Sequence, residues 1–456
     1  MSDGFYGADL VQLKQLASAM DAAGNRLQSQ LIGLDSSVSV TPWPGPDADK
    51  FRQDWLASHS RLLRGAVAFL HNASKELSRN AEEQELASFA GGGSLPASVI
   101  SVPGLPLGES PTPRPDDIEG KSAVDIKGWW EALPADQRQA FMREYPVEAG
   151  NTNGIPFNDR VEANKINAQN RIDWLKEHDP EPQFNRLRMD VGYPGRFAAE
   201  HDAWEQRQSG HDYLQSVVDG DVKLAAYDLG NNSIVEMIGE YKAGTSTIIT
   251  YVPGTLTNEA SFYGGNPQSV SRMLVDADKS GGTVAFVYKG SDFPDGDPLE
   301  AFVGEAKNDE FVAGSSPVLK DFQAAVDLEK PSVAQTVGIG HSWGARNLMG
   351  SETNGARYDK LIALSGAAMP PGWVADPATD YSTYTYPDIL LTAEANGLAG
   401  ENFPMKDPAF EKHLYSPPGD DDWRDHLSGD NHTLIATAGS ENDIAMRDVR
   451  KEIFSD

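Results

Sequence analysis

Five consecutive residues, Gly340-His341-Ser342-Trp343-Gly344, are the chain's best candidate for covalent chemistry. A serine hydroxyl is a weak nucleophile. It needs a turn that presents its Oγ, a base to take its proton, and a third group to orient that base. A turn of this kind joins a strand to a helix. Here the run Thr336–Gly340 reads as a strand, and Ala345-Arg346-Asn347-Leu348-Met349 opens a helix. Glycine two residues to either side of Ser342 removes the side chains that would clash at so tight a bend. With 43 glycines the bare pattern arises easily by chance, so the flanking strand and helix carry its specificity.

The base should lie downstream of Ser342, where the chain offers His413, His426 and His432. His432 is favoured because Gly429-Asp430-Asn431-His432-Thr433 forms a loop before the last helix, around Glu441–Phe454; His426 is its rival. The acid should follow a strand read at Ile389–Ala393. Glu394 is the nearest carboxylate there, and Asp407 lies further along. Two backbone N–H groups must hold the oxyanion. The Trp343 N–H is one; the second is expected from Pro253-Gly254-Thr255-Leu256, with Thr255 as the candidate.

The elements that would position these groups are legible as hydrophobic periodicity. Strands are expected at Val222–Tyr227, Ser233–Gly239, Thr247–Val252, Thr283–Tyr288, Thr336–Gly340, Lys360–Ser365 and Ile389–Ala393. Helices fit between them near Pro267–Asp278, Val318–Glu329 and Ala345–Glu352. Apolar strands alternating with helices predict an α/β architecture, a mostly parallel sheet covered on both faces. Upstream, helices are expected from Pro134 to about Tyr145 and over Asp159–His178. Residues 1–88 read as an all-α antiparallel hairpin broken at Thr41-Pro42-Trp43-Pro44-Gly45-Pro46. One hairpin buries a single seam, so it should seek a partner or a second copy of itself. The Gly- and Pro-rich stretch 89–116 is a linker. The remaining domain, 117–456, divides into a helical prelude (117–215) and the catalytic sheet (216–456).

Composition narrows the function. The chain has 456 residues, with 38 Lys and Arg against 68 Asp and Glu, a net charge of −30. That balance disfavours nucleic acid as a partner. Cysteine is absent, which removes thiolate nucleophiles, disulfides and Cys-ligated metals. No cofactor or metal motif is present; Asp292, Asp295 and Asp297 form an acidic loop without EF-hand spacing. No run approaches an integral membrane span, and the first twenty residues lack the pattern of a cleavable leader.

Two resemblances add to this. Trp43 and Gly45, followed by Phe51 and Trp55, resemble the WxG helical hairpins of type VII secretion substrates. That resemblance implies partner binding or a non-classical export route. The family's usual Tyr-x-x-x-Asp/Glu signal is not found near Leu77–Glu85, which leaves a secreted and a cytoplasmic location both open. Trp129-Trp130, Gly154-Ile155-Pro156, Arg160, Ala163-Asn164, Val252-Pro253-Gly254-Thr255 and the Ser342 pattern resemble an actinobacterial α/β-hydrolase family. It implies a serine hydrolase cleaving an ester or lipid-like small molecule. Members tend to carry Thr-Ala-Pro-Gly-Asp after the acid strand. Here Thr392-Ala393-Glu394-Ala395-Asn396 puts Asn396 at the acid position. Either an amide orients the histidine, or Glu394 or Asp407 has taken the role, or the body is a degenerate, non-catalytic interaction module.

Overall fold

The computed structural model describes residues 113–178, 210–294, 309–388, 402–416 and 429–454, together with Lys50, Trp204 and Leu391. The chain divides into two compact units, Met1–Gly108 and Glu109–Asp456, and the described residues other than Lys50 belong to the second. The expected hairpin at 1–88 and most of the linker lie outside the described residues.

Four helices come first: α1 (Ala123–Ala132), α2 (Ala135–Glu144), α3 (Pro146–Asn151) and α4 (Phe157–His178). Trp130, Phe141 and Ile155 form their shared core, and the Trp130 indole donates to Asp159 at 2.6 Å. A mixed sheet then forms from β1 (Lys223–Asp228), β2 (Ser233–Ile238), β3 (Thr247–Val252), β4 (Thr283–Lys289), β5 (Gln335–His341), β6 (Lys360–Leu364), β7 (Asp380–Thr385) and β8 (Glu411–Leu414). Their order is β1-β2-β4-β3-β5-β6-β7-β8. Only β2 runs antiparallel to its neighbours; from β4 to β8 every pairing is parallel.

Alternation along each strand feeds two cores. Ile248, Phe286 and Tyr288 face one side, with Phe322 of α7 (Asp309–Glu329) and Leu348 of α8 (Trp343–Thr353). Ile249, Val287, Ile339 and Leu364 face the other, with Leu274 of α6 (Ser269–Ala277) and Val449 and Ile453 of α10 (Asp443–Phe454). Two shorter helices, α5 (Glu259–Tyr263) and α9 (Gly429–Leu434), complete the labelled elements. Among the described residues no helix is long and apolar enough to cross a membrane.

The prelude is bound to the sheet by side-chain amides. Asn151 accepts from the Tyr227 N–H at 2.7 Å and donates to the Tyr227 carbonyl at 3.1 Å. Asn164 donates to the Leu224 carbonyl at 2.9 Å. These bonds serve the open side of β1, an edge strand of the sheet.

Two carboxyls inside this body titrate near neutrality. Burial raises Glu329, which accepts from the Phe157 N–H at 3.0 Å, to about 7. Burial also raises Glu352, which takes bonds from Trp373 and Tyr381, to about 7. Each has a folded pKa above its unfolded value of 4.5, so its stabilising share is complete below pH 4.5 and is lost as pH rises through 7. Replacing both by Gln should therefore cost most in acid. The melting temperature of wild type minus that of the double variant is expected to shrink by a few degrees between pH 5 and 8. A constant difference would contradict the assignment.

Candidate active site

The Ser342 elbow forms where β5 hands over to α8. Ser342 caps the helix at φ 53° and ψ −121°, a left-handed region that non-glycine residues rarely adopt. The bend is held by the Ser342 N–H on the Leu364 carbonyl, 2.9 Å, and by the Ala367 N–H on the Ser342 carbonyl, 3.1 Å. Strain kept in place by surrounding bonds is typical of functional turns.

Both flanking glycines are sterically required. A Cβ on Gly340 would lie 2.4 Å from the backbone of Ala345, and one on Gly344 would lie 2.0 Å from the Val252 carbonyl oxygen. Since neither obstacle is a movable side chain, Gly344→Ala should destabilise the protein by about 2 kcal/mol or more. Chemical denaturation measures this; an unchanged midpoint would mean that β3 and α8 are less tightly apposed.

His432 lies in α9, a short helix where a loop is expected. Its Nδ1 is 2.9 Å from Asp388 Oδ2, and the two side chains are only 2% and 1% exposed. The Asp388 carboxylate accepts there, so Nδ1 carries the proton and Nε2 is left as the basic nitrogen. Asn431 donates to the Pro387 carbonyl at 2.9 Å, binding α9 to the segment that carries the acid. Burial opposes the charge on Asp388. The bonds from His432, the Leu391 N–H and Ser365 outweigh it and hold the carboxyl below its ordinary range. Ser365, itself at φ 41°, joins the Thr385 hydroxyl at 2.8 Å.

His341 connects the elbow to the base. Its Nε2 lies 2.9 Å from the His432 carbonyl, and the two rings are 5.0 Å apart. A carbonyl only accepts, so His341 must donate from Nε2. Burial, reinforced by the neighbouring His432, pushes its pKa down to about 3, and the ring stays neutral.

The loop after β3 packs against the elbow. A Cβ built on Gly254 would meet Ser342 Cβ at 3.2 Å, so this loop's backbone lies beside the serine. Leu256, at φ 64°, donates to the Pro294 carbonyl at 2.7 Å, and Thr257 closes the turn on the Gly254 carbonyl at 2.9 Å. The Thr255 N–H between them engages no backbone carbonyl among the described residues. The Trp343 N–H is the first of α8 and has no intrahelical acceptor. Trp343 itself is fully buried against Phe293, their rings 4.7 Å apart.

A carboxylate outside the expected set stands against His432. The strand before it is β7, Asp380–Thr385, and Leu391, within the run expected as a strand, is helical. The carboxylate against His432 is Asp388, three residues beyond β7. Asp407 sits in a partly exposed turn and accepts from the Ala409 N–H at 2.8 Å. Glu394 and Asn396 lie outside the described residues, as does His426. His413 belongs to β8, where it stacks on Tyr384 at 4.3 Å and pairs with Glu411. Sequence reasoning missed Asp388, Ser365 and the role of His341. The available signal was Pro387-Asp388 after a tyrosine-alternating run.

No family model matches the chain. Two uncharacterized proteins of Mycobacterium tuberculosis are each 34% identical over 65 residues, 13% of this chain. The match spans about a tenth of the length of those curated relatives. Among solved structures, a Mesorhizobium loti carboxylesterase is 11% identical, with 45% of this chain and 92% of that chain covered and a TM-score of 0.29. An alpha-beta serine hydrolase homologue from Coxiella burnetii is 17% identical, with coverage of 51% and 97% and a TM-score of 0.30. A dienelactone hydrolase from Anabaena variabilis is 11% identical, with coverage of 52% and 92% and a TM-score of 0.30. The strand order, the β5–α8 elbow and the position of His432 after β8 give the described body the α/β-hydrolase fold.

Proposed function

We propose that the protein is a serine hydrolase that cleaves a carboxylic ester of a small or lipid-like molecule through an acyl-enzyme. The observation that carries this reading is the buried Asp388–His432 pair, joined through His341 to the strained Ser342 elbow. Ser342 Oγ attacks the ester carbonyl while His432 Nε2 takes its proton. The N–H groups of Trp343 and Thr255 receive the developing oxyanion. His432 then returns the proton to the leaving alcohol, and water repeats the sequence on the acyl-enzyme. Asp388 holds the tautomer and stabilises the imidazolium.

The non-catalytic alternative drew its support from an amide at the acid position. The Asp388 carboxylate at 2.9 Å from His432 favours the catalytic reading instead. Partner binding or type VII-style export through residues 1–88 stays a separate proposal, resting on the Trp43/Gly45 pattern.

The test is intact mass after treatment with a fluorophosphonate. One phosphonyl adduct mapping to the Ser342 peptide is expected. An unmodified protein, or an adduct elsewhere, overturns the reading.

A further inference from the structure

A cavity separate from the Ser342 elbow lies around Arg160, in the first turn of α4. Arg160 is 2% exposed, yet among the described residues it forms no ion pair. Nε donates to the Gly150 carbonyl at 3.3 Å and Nη1 to Asn153 Oδ1 at 3.2 Å, while the guanidinium lies 5.2 Å from the Phe157 ring. Its Nη2 has no protein acceptor among the bonds that the described residues make. Glu329, which accepts from the Phe157 N–H, acts on it only from beyond ion-pair distance. Burial lowers the Arg160 pKa to about 10, so the cation persists at neutral pH. A buried cation without a counter-ion is costly, and such groups are found where an anion completes them.

The guanidinium opens on a cavity of about 410 Å³, in the size range of small-molecule sites. Its wall combines Tyr288 and Phe322 with Asn153 and Ser291. The Tyr288 hydroxyl and Ser291 Oγ are buried and have no hydrogen-bond partner among the described residues. Asp228 and Asp292 also line it; Asp228 accepts from the N–H groups of Gly230 and Asn231, and Asp292 from the Asn232 amide. Neither lies at ion-pair distance from Arg160. Their charge opposes any anion, and opposes a doubly charged phosphate about twice as strongly as a monocarboxylate.

We propose that this cavity binds the carboxylate of a small organic acid, with Arg160 as its counter-ion. Neither Ser342, Asp388 nor His432 lines it. The proposal therefore stands apart from ester cleavage.

Isothermal titration of the full chain at pH 7 tests it, using acetate, lactate and benzoate, with inorganic phosphate at matched ionic strength. At least one monocarboxylate should saturate, bind more tightly than phosphate, and bind Ser342→Ala as it does wild type. Arg160→Gln should weaken that binding about tenfold or more, the loss of one charge-assisted pair. If Arg160→Gln does not fold, Val318→Trp decides: Val318 is a half-exposed wall residue, and the indole should block the cavity without touching Arg160. No saturable carboxylate binding, unchanged binding in the folded variants, or tighter binding of phosphate would each overturn the proposal.

Discussion

Ser342→Ala should abolish both fluorophosphonate labelling and ester hydrolysis while leaving the fold intact. Removing the nucleophile of a Ser-His-Asp constellation costs on the order of 10⁶ in kcat, because the remaining groups have nothing to activate. The effect on stability should be small or favourable, since the residue sits at φ 53°, a strained conformation for a non-glycine residue. Initial rates on a short-chain p-nitrophenyl ester, with circular dichroism as a control for folding, measure both. A variant with more than about one-hundredth of wild-type activity would place the nucleophile elsewhere.

The second large effect concerns the acid. Asp388→Asn should lower kcat by about 10³–10⁴ with little change in KM, since an amide lets the imidazole adopt the wrong tautomer and no longer stabilises its positive form. Asp407→Asn should leave the rate within about twofold, because its carboxylate serves only its own turn. Glu394→Gln and Asn396→Ala are expected to behave like Asp407→Asn. The pH dependence has a defined sign as well. Asp388 titrates below its ordinary range, so the stability it confers is present above about pH 4 and is lost as pH falls through its folded pKa. If Glu394→Gln proved the damaging substitution and Asp388→Asn were mild, the acid would have to be reassigned.

Why Asp388 was hard to see lies in the chemistry of β7. Hydropathy finds strands that bury apolar side chains. β7 instead buries hydroxyls, most of them bonded: Ser382 on Glu452 at 2.7 Å, Tyr384 on the same carboxylate, Thr385 on Ser365. The apolar run Ile389–Leu391 is the louder signal, and it places the expected acid one segment further along the chain. The strands that pack by apolar contact were legible: Thr247–Val252 is β3 residue for residue, and the β4 and β5 expectations fall within one residue of the observed ends. Helix α7 shows a second failure. A helix is expected near Val318–Glu329, yet it spans Asp309–Glu329 and runs through Pro317. The hydroxyls of Ser315 and Ser316 bond back to Phe311 and Val312, which occupies carbonyls at the interrupted turn. The elbow was the most legible part of the site because its demands are steric and local, whereas the acid and base meet across 44 residues.

The amide clasp of Asn151 on Tyr227 bears on how the molecule behaves in a crowded solution. An uncovered edge strand is a template on which a neighbouring molecule can grow its own sheet. Asn151 fills both hydrogen-bonding positions of Tyr227 as a further strand would, but a side chain propagates nothing beyond itself. At the opposite border, β8 is only four residues long and carries Glu411 and Lys412, charges that discourage recruitment there. Together with the net charge of −30, this makes the sheet a poor seed for self-association from either side. The helical prelude thus acts as a terminator of the sheet, and a chain shortened to its catalytic strands would be expected to precipitate before it could be assayed.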